Sequence, residues 1–144
     1  MSAKLFNEEE QEQIKLAIQA AEFQTSGEIR VFVESTCKNK DVFERAVQQF
    51  HALKMHETEL RNGVLIYLAV DDKKFAIIGD LGINEKVANN FWDSTKETML
   101  SYFVKNEMAA GLKQGIAMVG EQLKAYFPYQ NNDKNELPDE IAFS

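Results

Sequence analysis

Two adjacent aspartates, Asp71 and Asp72, interrupt an apolar stretch that begins at Gly63 and resumes after Lys73 and Lys74 to end at Gly79. Carboxylates held side by side repel one another unless a cation joins them, and hard oxygen donors suit Ca2+ or Mg2+ better than softer metals. Aspartate is equally a common turn residue, so the competing reading is a hairpin turn whose acids are neutralised in solvent by Lys73 or Lys74. The other reactive side chains fit no familiar catalytic pattern. Cys37 is the only cysteine, which excludes an internal disulfide and a thiolate metal cluster. A cysteine phosphatase holds its phosphate with an arginine at the position where this chain has Phe43. An aspartate-nucleophile phosphatase would need a second Asp where Lys73 stands. Neither a GxSxG elbow nor an HExxH helix occurs. His51 and His56 are spaced to miss the shared helix face of a two-histidine metal site, and are expected at the surface.

The elements that must position these residues are legible from periodicity. Asn7 can cap a helix whose first turn holds Glu8, Glu9 and Glu10, with Ile14, Ala17, Ile18 and Ala21 on one face. Ile29, Val31 and Val33 alternate with polar residues, as in a strand buried on one face. Asp41 opens a second helix expected to turn Phe43, Val47 and Phe50 inward. Val64 to Val70 is apolar on both faces and predicts an inner strand, paired in a hairpin with Lys74 to Ile78. Asn84 is then expected to cap one long helix through Trp92 to Phe103. A last helix from about Glu107 carries Gly111 and Gly115 on one side, which permits close approach of a neighbour. Pro128 ends it.

The order α-β-α-β-β-α-α joins the first two strands through a helix, so they are expected to be parallel with a right-handed crossover. Helices must cover both faces of so apolar a sheet. The predicted fold is therefore a three-layer α/β/α sandwich around a small mixed sheet, spanning residues 1–128, with 129–144 a flexible polar tail. Both parallel strands finish at one end of the sheet, which should gather Glu34, Cys37, Asp41, Asp71 and Asp72. That is the end at which open α/β sheets usually bind ligands. Glu34 joins Asp71 and Asp72 as an expected metal ligand on this ground. At the opposite end Arg61 is expected to pair with Glu28 or Asp80 as a structural ion pair, and Gly63, Gly79 and Gly82 to serve turns.

The chain has 144 residues, enough for one domain, and its net charge of −7 argues against nucleic acid or anionic lipid as a partner. It lacks a long apolar span and a signal-like start, so a cytoplasmic protein without a membrane anchor is expected.

In order along the chain, TSGEIRVFVE, RNGVLIYLAVDDKKFAIIGDLGI, the tryptophan-bearing segment and AGLKQGIAMVGEQLKAYFP resemble the TPM domain of thylakoid-lumen and membrane-tethered bacterial proteins. The resemblance spans roughly residues 8 to 128 and lies closest to single-domain bacterial members. It implies an α/β/α sandwich, divalent-cation binding (usually calcium) near the strand-end acidic loop, and in some members an acid-phosphatase activity. Asp71 and Asp72 are the positions that carry the cation expectation over. Three readings follow: a Ca2+-binding domain, a metal-assisted phosphomonoesterase, and a module whose acidic end docks a protein partner.

Overall fold

The computed structural model describes residues 5–37, 41–129, 139 and 141–143. Helix α1 (Glu8–Glu22) leads into strand β1 (Glu28–Glu34), helix α2 (Val42–Ala52), a 3-10 turn at Met55–Glu57, and strands β2 (Gly63–Ala69) and β3 (Lys74–Gly79). Helices α3 (Leu81–Asn84), α4 (Asp93–Phe103) and α5 (Met108–Lys124) follow, and a two-residue strand β4 (Ala142–Phe143) closes the order. The sheet runs β3-β2-β1-β4, with β2 parallel to β1 and antiparallel to β3.

Period-two alternation decides which side chain meets which layer. Ile29, Val31 and Val33 of β1 and Val64, Ile66 and Leu68 of β2 face α1, α4 and α5 in the larger core. Phe32, Leu65, Tyr67 and Ala69 face α2 in the smaller one. All seven residues of β2 are buried, as a strand covered by helices on both faces requires. The result is the α/β sandwich that the pattern predicts. Among the described residues no helix is long and apolar enough to cross a membrane.

Local chemistry sets the element ends. Asn7 caps α1 with its side chain on the Glu10 amide at 2.7 Å, while Glu10 returns a carboxylate to the Asn7 amide at 3.0 Å. Asp41 caps α2 through the Phe43 amide at 2.9 Å. Phe43 itself is exposed, because the face that meets the sheet is Val42, Ala46, Val47 and Phe50. The long helix expected from Asn84 is also divided. Asp80 caps the short α3, and α4 does not begin until Asp93. Gln122 of α5 donates to the Phe91 carbonyl at 2.9 Å and bonds Thr95 at 2.5 Å, so a side chain takes an acceptor that a continuous helix would use.

Most of the C-terminal segment from 129 lies outside the described residues. Its Ala142 and Phe143 pair in parallel with Phe32 and Val33, adding a strand that periodicity did not signal.

Gly111 and Gly115 on α5 let α4 approach closely. A methyl group on Gly115 would stand 2.4 Å from the flexible Met99 thioether, whereas one on Gly111 would stand 2.5 Å from the Phe103 ring. Phe103 is fully buried and packs edge-on against Phe75 at 5.0 Å, so it cannot yield. Gly111→Ala is expected to destabilise the fold by about 1–3 kcal/mol in urea denaturation, the overpacking outweighing the gain in helix propensity. A variant as stable as the parent would contradict this packing.

Candidate functional site

Parallel pairing carries β1 and β2 in step from Glu28 opposite Gly63 to Glu34 opposite Ala69, so both strands stop at the same end of the sheet. The ladder continues beyond them: the Val70 amide donates to the Glu34 carbonyl at 2.9 Å and the Asp71 amide to the Ser35 carbonyl at 2.7 Å. The Cys37 amide then donates to Asp72 Oδ2 at 2.7 Å. These three bonds lash the loop after β1 to the β2–β3 turn. The turn is Val70 to Lys73, closed by the Ala69–Lys74 pair, with Lys73 in the left-handed region at φ 53°. A four-residue reversal of this kind needs one such residue, and here a lysine bears that strain.

Glu34, Cys37, Asp71 and Asp72 are thus brought to one end of the sheet, with Asp41 at the start of α2. Their environments differ sharply. Asp71 and Asp72 are exposed, and among the described residues neither forms a salt bridge with Lys73 or Lys74. Glu34 is 2 % exposed and points toward α2, where Arg45 grips it with two bonds of 2.8 Å. The Tyr67 hydroxyl, on the same sheet face, donates to Glu34 Oε2. Burial, followed by the bond to Glu34, pushes the Tyr67 hydroxyl well above its ordinary range, and the Glu34 carboxylate raises Arg45 further. Glu34 is therefore already neutralised by protein. Among the described residues no three His, Cys, Asp or Glu side chains form a group able to hold a metal ion.

Arg45 and Tyr67 are the residues that sequence reasoning missed. Glu34 continues the inward-facing register of Phe32, and a carboxylate so placed demands a cationic partner; Arg45, on the helix above it, was the signal.

The opposite end is built differently. Arg61, left-handed at φ 51°, clamps Asp80 through bonds of 2.7 and 2.9 Å. Asp80 Oδ1 also accepts from the Leu81 amide, capping α3. Of the two partners expected for Arg61, the structure selects Asp80. Gly82 is held against the chain before β2, where an added methyl would lie 2.3 Å from the Leu60 carbonyl. His51, which is exposed, and His56, which is half-buried, were read as surface residues off a shared helix face, and their rings lie 5.0 Å from one another. The helix stops at Ala52 and Lys54 turns left-handed at φ 59°, folding His56 back over the end of α2.

The family model described as the TPM domain matches residues 1–122, which include both ends of the sheet as far as β3. The chain belongs to the TPM domain family. The NMR structure of the BA42 protein from the psychrophilic bacterium Bizionia argentinensis is 46% identical, covers 96% of this chain and 95% of its own, and superposes with a TM-score of 0.90. The N-terminal domain of a P. gingivalis protein shares the fold at 15% identity, with a TM-score of 0.73 over 90% of this chain and 85% of its own. A third relative in fold is the N-terminal domain of the Corynebacterium glutamicum cg2496 protein, at 13% identity, TM-score 0.63, and 96% and 80% coverage. No protein with a curated description matches this chain.

In this TPM domain the buried pair beneath the acidic turn makes its own prediction. Arg45→Ala leaves Glu34 buried without its cation and is expected to cost about 3–5 kcal/mol in chemical denaturation. Adding Glu34→Gln should recover much of that loss, since the uncompensated charge goes with it. Equal destabilisation in single and double variants would contradict an electrostatic origin.

Proposed function

We propose that this TPM domain binds a divalent cation, Ca2+ by the hardness of the donors, at the β2–β3 turn through Asp71 and Asp72. The observation that carries the reading is the bond from the Cys37 amide to Asp72 Oδ2. It holds one carboxylate in place beside an exposed second one, on a turn lashed to the neighbouring loop. A fixed pair of acids costs less to organise around an ion than two freely rotating ones. Glu34 stays with Arg45 and supports the loop from below, so the ligands this proposal assigns are Asp71 and Asp72, with backbone oxygens and water filling the six to eight positions calcium prefers. An open shell of this kind gives weak, exchangeable binding.

The geometry favours binding over hydrolysis, because Glu34, Arg45 and Tyr67 bond one another instead of facing the turn as acid or base. A phosphomonoesterase would use the same cation to orient a phosphate and activate water. Calorimetric titration at fixed ionic strength is expected to give a dissociation constant on the order of micromolar or weaker for Ca2+. The heat should vanish in Asp71→Ala/Asp72→Ala. No heat in the native chain, or undiminished heat in the double variant, would refute the assignment. Release of p-nitrophenol from its phosphate ester, lost in the same double variant, would move the reading to the esterase.

A further inference from the structure

Two imidazole rings meet where α2 gives way to the 3-10 turn. Five residues apart on one continuous helix, His51 and His56 would point about 140° away from each other. The helix stops at Ala52, and Leu53 and Lys54 close it with amides on the Gln49 and His51 carbonyls. Lys54 then turns left-handed and Met55 is fully buried, which brings His56 back over the helix end. The ring centres stand 5.0 Å apart with 59° between their planes, and Phe50 lies edge-on to His51 at 5.8 Å.

Zinc and similar ions bind an imidazole nitrogen at about 2 Å, which puts the metal about 3.2 Å from the ring centre. Two rings sharing one ion at a right to tetrahedral angle then stand about 4.5–5.2 Å apart. His51 and His56 fall inside that range. The nitrogens of His56 also divide as a ligand requires. Its Nε2 lies 3.8 Å from the Glu57 carboxylate, while Nδ1 is buried with no hydrogen-bond partner among the described residues. A ligating histidine turns one nitrogen to an outer carboxylate and gives the other to the metal. An ion at Nδ1 would satisfy a polar atom that the fold otherwise leaves unpaired. His51 is exposed, so its ring can shift to admit the ion. The carbonyl end of α2 adds a field that favours positive charge.

We propose that His51 and His56 form a cation site of their own, for a divalent transition metal of the zinc class, with Glu57 orienting His56. Imidazole suits such ions, whereas Ca2+ takes oxygen donors. The pair lies at the far end of α2 from Asp41, which stands at the sheet end that carries the acidic turn. That helix is 11 residues long. At about 1.5 Å per residue it spans about 16 Å, so the two sites differ in place as well as chemistry. Two protein ligands leave the remaining positions to water, and the ion exchanges readily.

Titration of the full chain with Zn2+ tests this, following the ring protons of both histidines with Ca2+ held at a constant millimolar level. One Zn2+ per chain should move both rings along a single binding curve. His51→Gln and His56→Gln each leave one imidazole and should weaken binding by at least about tenfold, because the second ligand no longer acts within the same molecule. The exposed position of His51 lets its variant keep the fold, which the amide spectrum checks. Asp71→Ala/Asp72→Ala should leave the Zn2+ curve unchanged. Separate midpoints for the two rings, no response of either, undiminished affinity in His51→Gln, or loss of binding in the double aspartate variant would overturn the proposal.

Discussion

Burial of β2 on both faces is the constraint from which the remainder of the structure follows. None of Gly63 to Ala69 reaches solvent, so helices must lie above and below and strands must flank on either side. Backbone groups in so dry a strand have to be paired throughout, which the register with β1 and β3 accomplishes. Once β1 runs parallel to β2, their carboxyl ends necessarily coincide. The acidic turn is placed by that topology, and its two aspartates mark where the chain first regains water.

The two ends of the sheet use ionic groups to different effect. Around Arg61 and Asp80 both charges serve the backbone, one in a left-handed turn and the other as a helix cap, and Gly82 closes the gap. At the other end the charges fall into layers. Glu34, Arg45 and Tyr67 form a neutralised base beneath the turn, and Asp71 and Asp72 stand outside it. A buried carboxylate is tolerable only with such partners, whereas exposed acids are stable in water without them. That division between a support and a receptive surface makes the turn the best candidate for function.

Strand and helix positions were legible where one physical preference dominated. The apolar positions of β1, the doubly apolar β2 and the Asn7 cap left little choice, although β1 is buried on its second face as well, through Glu28, Phe32 and Glu34. Side-chain roles that depend on a partner far along the chain were less so. Asn84 resembles a cap as much as Asp80 does, and the break before Asp93 is where Gln122, arriving from α5, bonds the Phe91 carbonyl. Phe43 was misplaced because one helical step separates it from the true inward face, which Ala46 and Phe50 define. Gathering Glu34 with the aspartates followed from topology, but its commitment to Arg45 depends on the orientation of α2 over the sheet. The strand at Ala142 and Phe143 is too short for periodicity to reveal.

The most direct test of the account is a map of amide shifts in the native chain as Ca2+ is added. Shifts confined to Ser35–Cys37 and Val70–Lys73, where the two loops are lashed together, are the predicted result. Shifts centred instead on Arg61 and Asp80, or a spectrum that does not respond at millimolar Ca2+ (about the weakest range for calcium modules), would contradict it.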